Sequence, residues 1–402
     1  MTSTLHLRLQ LVVFTLVSAA FTNIYVTQPV LPVLQAEFGA DAVLVSFTVS
    51  AVILGIAIAN LPFGLLADRF DTRVIIASGG VALALGGLAC AATTSLWVLI
   101  GARFVQGLFI PALTTCLAAY LARSLPAARL KVIMGAYVSA TVLGGMGGRL
   151  FGGWIHPPLH WRYAFVTTAL LTLAATAVAL KALPRDIASV PRRAQPTSFL
   201  QLLTRGDCVR IYLCAAGGFA VFSSIFNYLP FRLATPPFEL STEATTLLYL
   251  VYVMGIFMGP IAGQFSNRFG TGATLLGGAL VTGAAMLLLL APSLTAVVAG
   301  LLALCIGFFA VHAAAVGALN SKLEGGQGRA NALYVLFYYL GGWLGITLAG
   351  LAYQRGGWNA LVVLCLMLLS IPAYAGWRER QEGRRSDGPR KGTMRSVPGR
   401  ER

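Results

Sequence analysis

The sequence predicts an all-α integral membrane protein, with twelve transmembrane helices arranged as two pseudo-symmetric bundles of six. Three observations carry this expectation. Apolar runs long enough to cross a bilayer recur along the chain, a loop pattern behind the second run returns behind the eighth, and basic residues collect on alternate loops.

Of the 402 residues, 57% are hydrophobic and only 10% charged, and the mean hydropathy is +0.78. So few charges could not cover a soluble surface of this size. About 20 apolar residues give a helix the length to cross roughly 30 Å of hydrocarbon. Runs of that kind lie at 9–33, 42–63, 74–93, 96–122, 132–155, 161–182, 208–231, 245–265, 272–291, 294–319, 331–353 and 358–377. Short strands with period-two alternation are lacking, which argues against an outer-membrane barrel. The net charge of +16 follows topology rather than a nucleic-acid face. Of 29 Lys and Arg, 24 fall in the N-terminus, the even-numbered loops and the C-terminal tail. Arg162, Arg232 and Arg355 lie at the opposite ends, and Arg103 and Arg149 fall inside spans. Basic loops stay cytoplasmic during insertion, so both termini are expected in the cytoplasm.

Taken in order, span 1 imitates a signal peptide as far as Ala20. Its apolar run nevertheless continues through Ile24, Val26, Val30, Leu31 and Val33, and an uncleaved helix keeps the halves equal. Behind span 2, Gly64-Leu65-Leu66-Ala67-Asp68-Arg69-Phe70 recurs 199 positions on as Gly263-Gln264-Phe265-Ser266-Asn267-Arg268-Phe269. Such weak internal symmetry marks duplicated carriers with a pathway between their halves. Span 4 carries Arg103 and Gln106, and span 5 carries Arg149. An ionised guanidinium in hydrocarbon is costly, so each is expected to face a partner or a watery cavity. In span 5, Gly144, Gly148, Gly152 and Gly153 form a smooth stripe for close helix approach. A polar, proline-rich linker, 184–207, joins an N-terminal bundle, 1–183, to a C-terminal bundle, 208–377. The tail, 378–402, holds nine bases and four acids and is expected to be disordered, acting as a solvated topology anchor or attracted to anionic lipid.

Polar and aromatic residues within spans are candidates for a mid-bilayer cavity: Asn23, Tyr25, Gln28, Gln106, Asn227, Tyr228, Tyr249, Tyr252, Tyr334, Tyr338 and Trp343. Tyr334 and Tyr338 lie one turn apart and share a face. All thirteen acids fall at loops, ends or tails, and His312 in span 10 is the mid-span group that titrates near neutrality. Two embedded arginines without an embedded acid leave a positive central region, suited to an anionic or electron-rich ligand. The six cysteines sit in or beside apolar helices without metal-ligand spacing.

These patterns resemble the major facilitator superfamily over nearly the full length, and in particular its drug-exporter branch. The exporter loop motif Gly-x-x-x-Asp-Arg-x-Gly-Arg-Arg aligns to Gly64, Asp68, Arg69 and Arg73, with Asp71 and Thr72 replacing its later Gly and first Arg. Its second copy holds Gly263, Asn267 and Arg268. The helix-5 motif Gly-x-x-x-Gly-Pro-x-x-Gly-Gly aligns to Gly144, Gly148, Gly152 and Gly153, with Arg149 in place of Pro. The stretches Tyr25 to Pro32, Gly144 to Leu150, Phe308 to His312 and Leu336 to Gly341 resemble the acriflavine-sensitivity (YnfM-like) branch. The resemblance implies a loop that locks the cytoplasmic gate and gives Arg103 a part in proton or substrate coupling. It further implies proton-coupled efflux of a small organic molecule across a bacterial inner membrane by a monomer. No cofactor is expected, the drive being the proton gradient through His312 or through Asp68, Asp41 and Glu243. Uptake of an anionic metabolite and a non-transporting receptor on the same scaffold are the competing expectations. A nucleotide-driven pump or an intramembrane enzyme finds no Gly-x-x-x-x-Gly-Lys-(Ser/Thr), His-Glu-x-x-His or Gly-x-Ser-x-Gly in the chain.

Overall fold

A computed structural model describes residues 2–125, 127–183, 198–323 and 326–386, and the regular elements among them are helices. The first half holds α1 (Leu9–Phe38), α2 (Ala42–Ala67), α3 (Thr72–Ala92), α4 (Leu96–Ser124), α5 (Ala127–Ile155) and α6 (Arg162–Ala182). The second holds α7 (Gly206–Leu233), α8 (Thr242–Phe269), α9 (Thr271–Leu290) and α10 (Leu294–Ser321). The last segment, Gln327–Ser386, breaks at Gly356 and Gly357 into α11 (327–355) and α12 (358–386). Gly357 has φ +61°, a left-handed conformation that favours glycine, and so provides the sharp reversal. Twelve crossings result. Among the described residues, ten segments are long and apolar enough to span a membrane, one of them being the broken pair. The helix Ala127–Ile155 packs along α1 and supplies the remaining crossing.

Most helices outrun their apolar windows at one or both ends, and polar side chains cap some of their first turns. Asp41 Oδ1 accepts from Leu44 N at 2.7 Å to open α2, and Ser241 Oγ accepts from Ala244 N at 3.3 Å to open α8. The expected disorder from Arg378 onward is corrected over its first part, since α12 stays helical to Ser386. There Glu379 accepts from Arg210 and pairs with Lys322 (3.0 Å), and Glu382 accepts from Arg210 at 2.7 Å. Residues 184–197 of the linker and 387–402 of the tail lie outside the described residues. Just after the former, Ser198 and Gln201 form a reciprocal cap on the short helix Phe199–Thr204.

Glycine decides how closely the helices approach. A Cβ on Gly144, Gly148 or Gly152 would overlap the α1 backbone at Ser18, Thr22 and Val26, so the α5 stripe rides along α1 one turn at a time. The second half repeats the device: Gly341 and Gly345 of α11 lie on the α7 backbone at Ala216 and Ala220. Trp161 before α6 and Trp358 at the start of α12 are likewise equivalent buried anchors. Trp358 Nε1 donates to Leu289 O at 2.8 Å, and Trp161 Nε1 donates to Glu37.

The loop side, which carries Gly64 to Arg73, is the side on which the described residues begin and end. On the opposite, far side the two halves touch. Asn227 Nδ2 of α7 donates to Ser46 Oγ of α2 at 2.8 Å, Gly153 of α5 abuts Thr246 of α8, and Gly350 of α11 abuts Val43 of α2.

Candidate functional site

The two embedded arginines have different environments. Arg103 is fully buried inside the first half. Its Nε donates to Thr48 O (2.8 Å), one terminal nitrogen to Asn23 O (2.7 Å) and Gln106 Oε1 (2.6 Å), and the other to Ile24 O (2.6 Å). The helical stretch of α1 ends at Tyr25, and a 3₁₀ turn, Gln28–Val30, follows before the helix resumes at Leu31. The carbonyls that such an end leaves open carry partial negative charge, and Arg103 satisfies two of them. Gln106 Nε2 donates to Leu83 O at 3.2 Å, and Asn23 Nδ2 donates to Thr172 Oγ1 at 2.9 Å. Arg103, Gln106 and Asn23 therefore form one polar network within the first bundle, and Arg103 holds the bend of α1 in place.

That bend presents Tyr25 and Gln28 to Arg149. Arg149 is 2% exposed, and its Nε donates to Gln28 Oε1 at 2.6 Å and a terminal nitrogen to Gly145 O at 2.7 Å. Its guanidinium lies 3.6 Å from the Tyr25 ring centroid, 4.1 Å from Tyr252 and 5.6 Å from Tyr249. Tyr25 belongs to the same half, whereas Tyr249 and Tyr252 come from α8 of the other half. Within α8, Leu248–Val253 winds as a 3₁₀ helix. Residues three apart then eclipse, which brings both tyrosines to the side of Arg149. The charge thus rests on ring faces and neutral oxygens, and no ion pair of Arg149 with an acid is found among the described residues. The Tyr252 hydroxyl is buried without a hydrogen-bond partner. Arg149 stands six residues, about 9 Å, from the far end of α5. The cluster therefore lies between the halves, toward the far side.

Deeper in the second half runs a wall of rings. Phe219, Phe222 and Phe226 share one face of α7. Phe226 meets Tyr252 at 4.6 Å between centroids, Phe222 stacks on Phe308 at 3.9 Å, and Phe219 stacks on Tyr338 at 3.8 Å. The wall ends at His312, whose Nδ1 is 2.9 Å from the Tyr334 hydroxyl and whose ring lies 5.2 Å from Tyr338. Phe219, Phe222 and Phe226 complete this wall without having stood out in the sequence, because an apolar ring inside an apolar span carries no contrast. Asn227 and Tyr228 belong elsewhere. Asn227 joins the halves through Ser46, and Tyr228 packs inside the second half, stacked on Tyr353 at 5.3 Å and within 3.3 Å of Ile346 O.

The repeated loops are unequal. Asp68 pairs with Arg123 at 3.3 Å, and Arg123 also donates to Ala67 O (2.8 Å) and Thr72 Oγ1 (3.1 Å), tying α2 to α4 within one half. Asp71, where the motif has Gly, caps α3 by accepting from Arg73 N at 2.8 Å. Arg73 donates to Leu180 O at the end of α6, while Arg69 and Gly64 face the loop-side surface. In the second copy Gly263, Asn267 and Arg268 are exposed, and Arg268 lies over Phe269. Asn267 has no charge with which to form the pair that Asp68 forms.

The comparisons with known proteins agree with this architecture. The model of the Major Facilitator Superfamily matches residues 13–324 and 238–398. The chain is 29% identical over 376 residues to the inner membrane transport protein YnfM of Escherichia coli, covering 92% of this chain and 90% of that one. Over 151 residues, 38% of this chain and 28% of the other, it is 34% identical to a multidrug resistance protein B homolog of Mycobacterium tuberculosis. Among solved structures, an inward-facing bacterial homolog of the human lysosomal transporter Spinster superposes with a TM-score of 0.73 at 18% identity, over 94% of this chain and 97% of that one. The human organic anion transporter MFSD10 superposes with 0.72 at 17% identity, over 92% and 99%. At these identities both show a shared fold. With its twelve crossings, glycine-packed helix pairs and full-length relatives, the chain belongs to the Major Facilitator Superfamily and is a multi-pass membrane transporter, not an enzyme.

Proposed function

We propose that the protein exports a small organic molecule with an anionic or electron-rich group, by alternating access coupled to proton entry. The observation that carries this reading is Arg149: a buried cation between the halves, neutralised by no described acid and flanked by an unpartnered Tyr252 hydroxyl. A ligand oxygen would engage these two donors while the apolar body lies along Phe222, Phe308 and Tyr338. A mostly apolar wall with a few directed polar groups is the usual form of a small-molecule site. The contacts between the halves on the far side belong to the state open toward the loops. Opening the far side must separate Asn227 from Ser46, Thr246 from Gly153, and Tyr249 and Tyr252 from Arg149.

Export as the direction rests on the shared exporter motifs and on the relative named for multidrug resistance. Placing the loop side in the cytoplasm of an inner membrane rests on the basic loops and on the relative named an inner membrane protein. His312, hydrogen-bonded to Tyr334 at the end of the ring wall, is the proposed proton carrier. The test is uptake of a panel of anionic, neutral and cationic aromatics into inside-out vesicles. The reading requires accumulation of anionic members that rises when the vesicle interior is made acidic. Accumulation confined to cations, or indifferent to the pH gradient, would contradict it.

A further inference from the structure

The helical end of α12 sorts its charges by face. Glu379 and Glu382 are held by Arg210 of α7 and by Lys322, the residue after α10. Arg380 and Arg384, one turn apart, are exposed. Directly before them on the same side stand Trp377 and Tyr374, 46% and 57% exposed, with rings 6.0 Å apart. Exposed Trp and Tyr at the end of an apolar span mark the level of the lipid headgroups. Arg380 and Arg384 therefore lie just beyond that level.

They also border a depression. A surface groove of about 230 Å³ is lined by Leu276, Trp377, Arg380, Gln381 and Arg384, between α9 and α12. The two helices approach closely here, because a Cβ on Gly272 would strike the Arg380 backbone and one on Gly376 the Leu276 backbone. The groove thus has a close-packed apolar flank, an aromatic belt residue and two cations, while Glu379 and Glu382 are engaged by Arg210 and Lys322. We infer that it binds the phosphate of an anionic phospholipid in the loop-side leaflet, with the acyl chains running along α9 and α12. Arg380 and Arg384 supply the charge, Trp377 the headgroup-level contact, and Leu276 the apolar floor.

The experiment is native mass spectrometry of the full-length protein titrated with phosphatidylglycerol, phosphatidylcholine or inorganic phosphate. Each basic residue near a membrane surface accounts for about five-fold in affinity for anionic lipid, so R380Q/R384Q should bind the first phosphatidylglycerol roughly thirty-fold more weakly. Both side chains are exposed, so thermal unfolding should hardly change. A second variant, R390Q/K391Q/R395Q, removes tail charge and should retain the tight lipid. Equal binding of phosphatidylcholine and phosphatidylglycerol, or an R380Q/R384Q protein that binds like the parent, would overturn the site. So would equal loss in the tail variant. Retention of inorganic phosphate at matching affinity would overturn the lipid as its occupant.

Discussion

Replacing Tyr252 by leucine tests whether the Arg149 cluster holds the far side shut. The guanidinium lies 4.1 Å from the Tyr252 ring centroid, in a desolvated setting where such a contact contributes about 1–2 kcal/mol. Tyr252 belongs to the other half, so that energy exists only while the far side is closed. Its loss should shift the ratio of far-side-open to far-side-closed molecules by about 5- to 30-fold. Arg149→Gln should shift it further, since the Tyr249 contact and the bond to Gln28 are altered as well. Tyr25→Leu serves as the control: its ring is closer, at 3.6 Å, but lies in the same half as Arg149, so it should move the ratio much less. The readout is pulsed electron resonance between spin labels at Leu159→Cys and Glu239→Cys, two exposed far-side positions in different halves. The six native cysteines are buried and remain as they are. Tyr252→Leu should enlarge the long-distance population. Unchanged distance distributions in both Tyr252→Leu and Arg149→Gln would refute the latch.

Further outcomes follow from the same geometry. Arg103→Met strands the carbonyls of Asn23, Ile24 and Thr48, at about 1–3 kcal/mol for each one left unsatisfied, so folded yield in detergent chromatography should collapse while Arg149→Gln folds. Gly148→Ala should lower thermal stability by about 1–3 kcal/mol through overlap with Thr22. Gly147→Ala, whose Cβ meets open space, should be neutral or slightly stabilising on the same melt. Asp68→Asn removes a half-exposed pair and should change the melting midpoint little, by less than about 1 kcal/mol. Arg123→Ala should cost more, because its bonds to Ala67 and Thr72 go too. His312→Ala should flatten the pH dependence of transport while leaving the protein folded, and an unaltered pH profile would clear His312 of proton transfer.

Much of the fold was legible because hydrocarbon imposes length and polarity on every span. The duplicated loop disclosed the two halves, and the glycines of α5 disclosed a packing stripe whose partner, α1, only the structure supplies. What escaped was whatever depends on pairing at a distance. Nothing in the α12 sequence after Trp377 separates it from a loose basic tail, since the bases that hold Glu379 and Glu382 are on α7 and just after α10. The 3₁₀ stretch of α8 has no local signal in Leu248 to Val253, and it eclipses two tyrosines that an α-helix would set about 60° apart. The bend in α1 is stabilised by Arg103, far along the chain. The two arginines looked equivalent as cations in hydrocarbon. Only their partners separate them, carbonyls for Arg103 and rings from both halves for Arg149.

Flux of matched anionic and neutral aromatics through reconstituted Arg149→Gln and Arg149→Lys proteins tests the central claim most directly. The account predicts that glutamine lowers anionic flux at least ten-fold, that lysine restores part of it, and that both proteins reconstitute in normal amount. Anionic flux equal to the parent's in well-folded Arg149→Gln protein would contradict it.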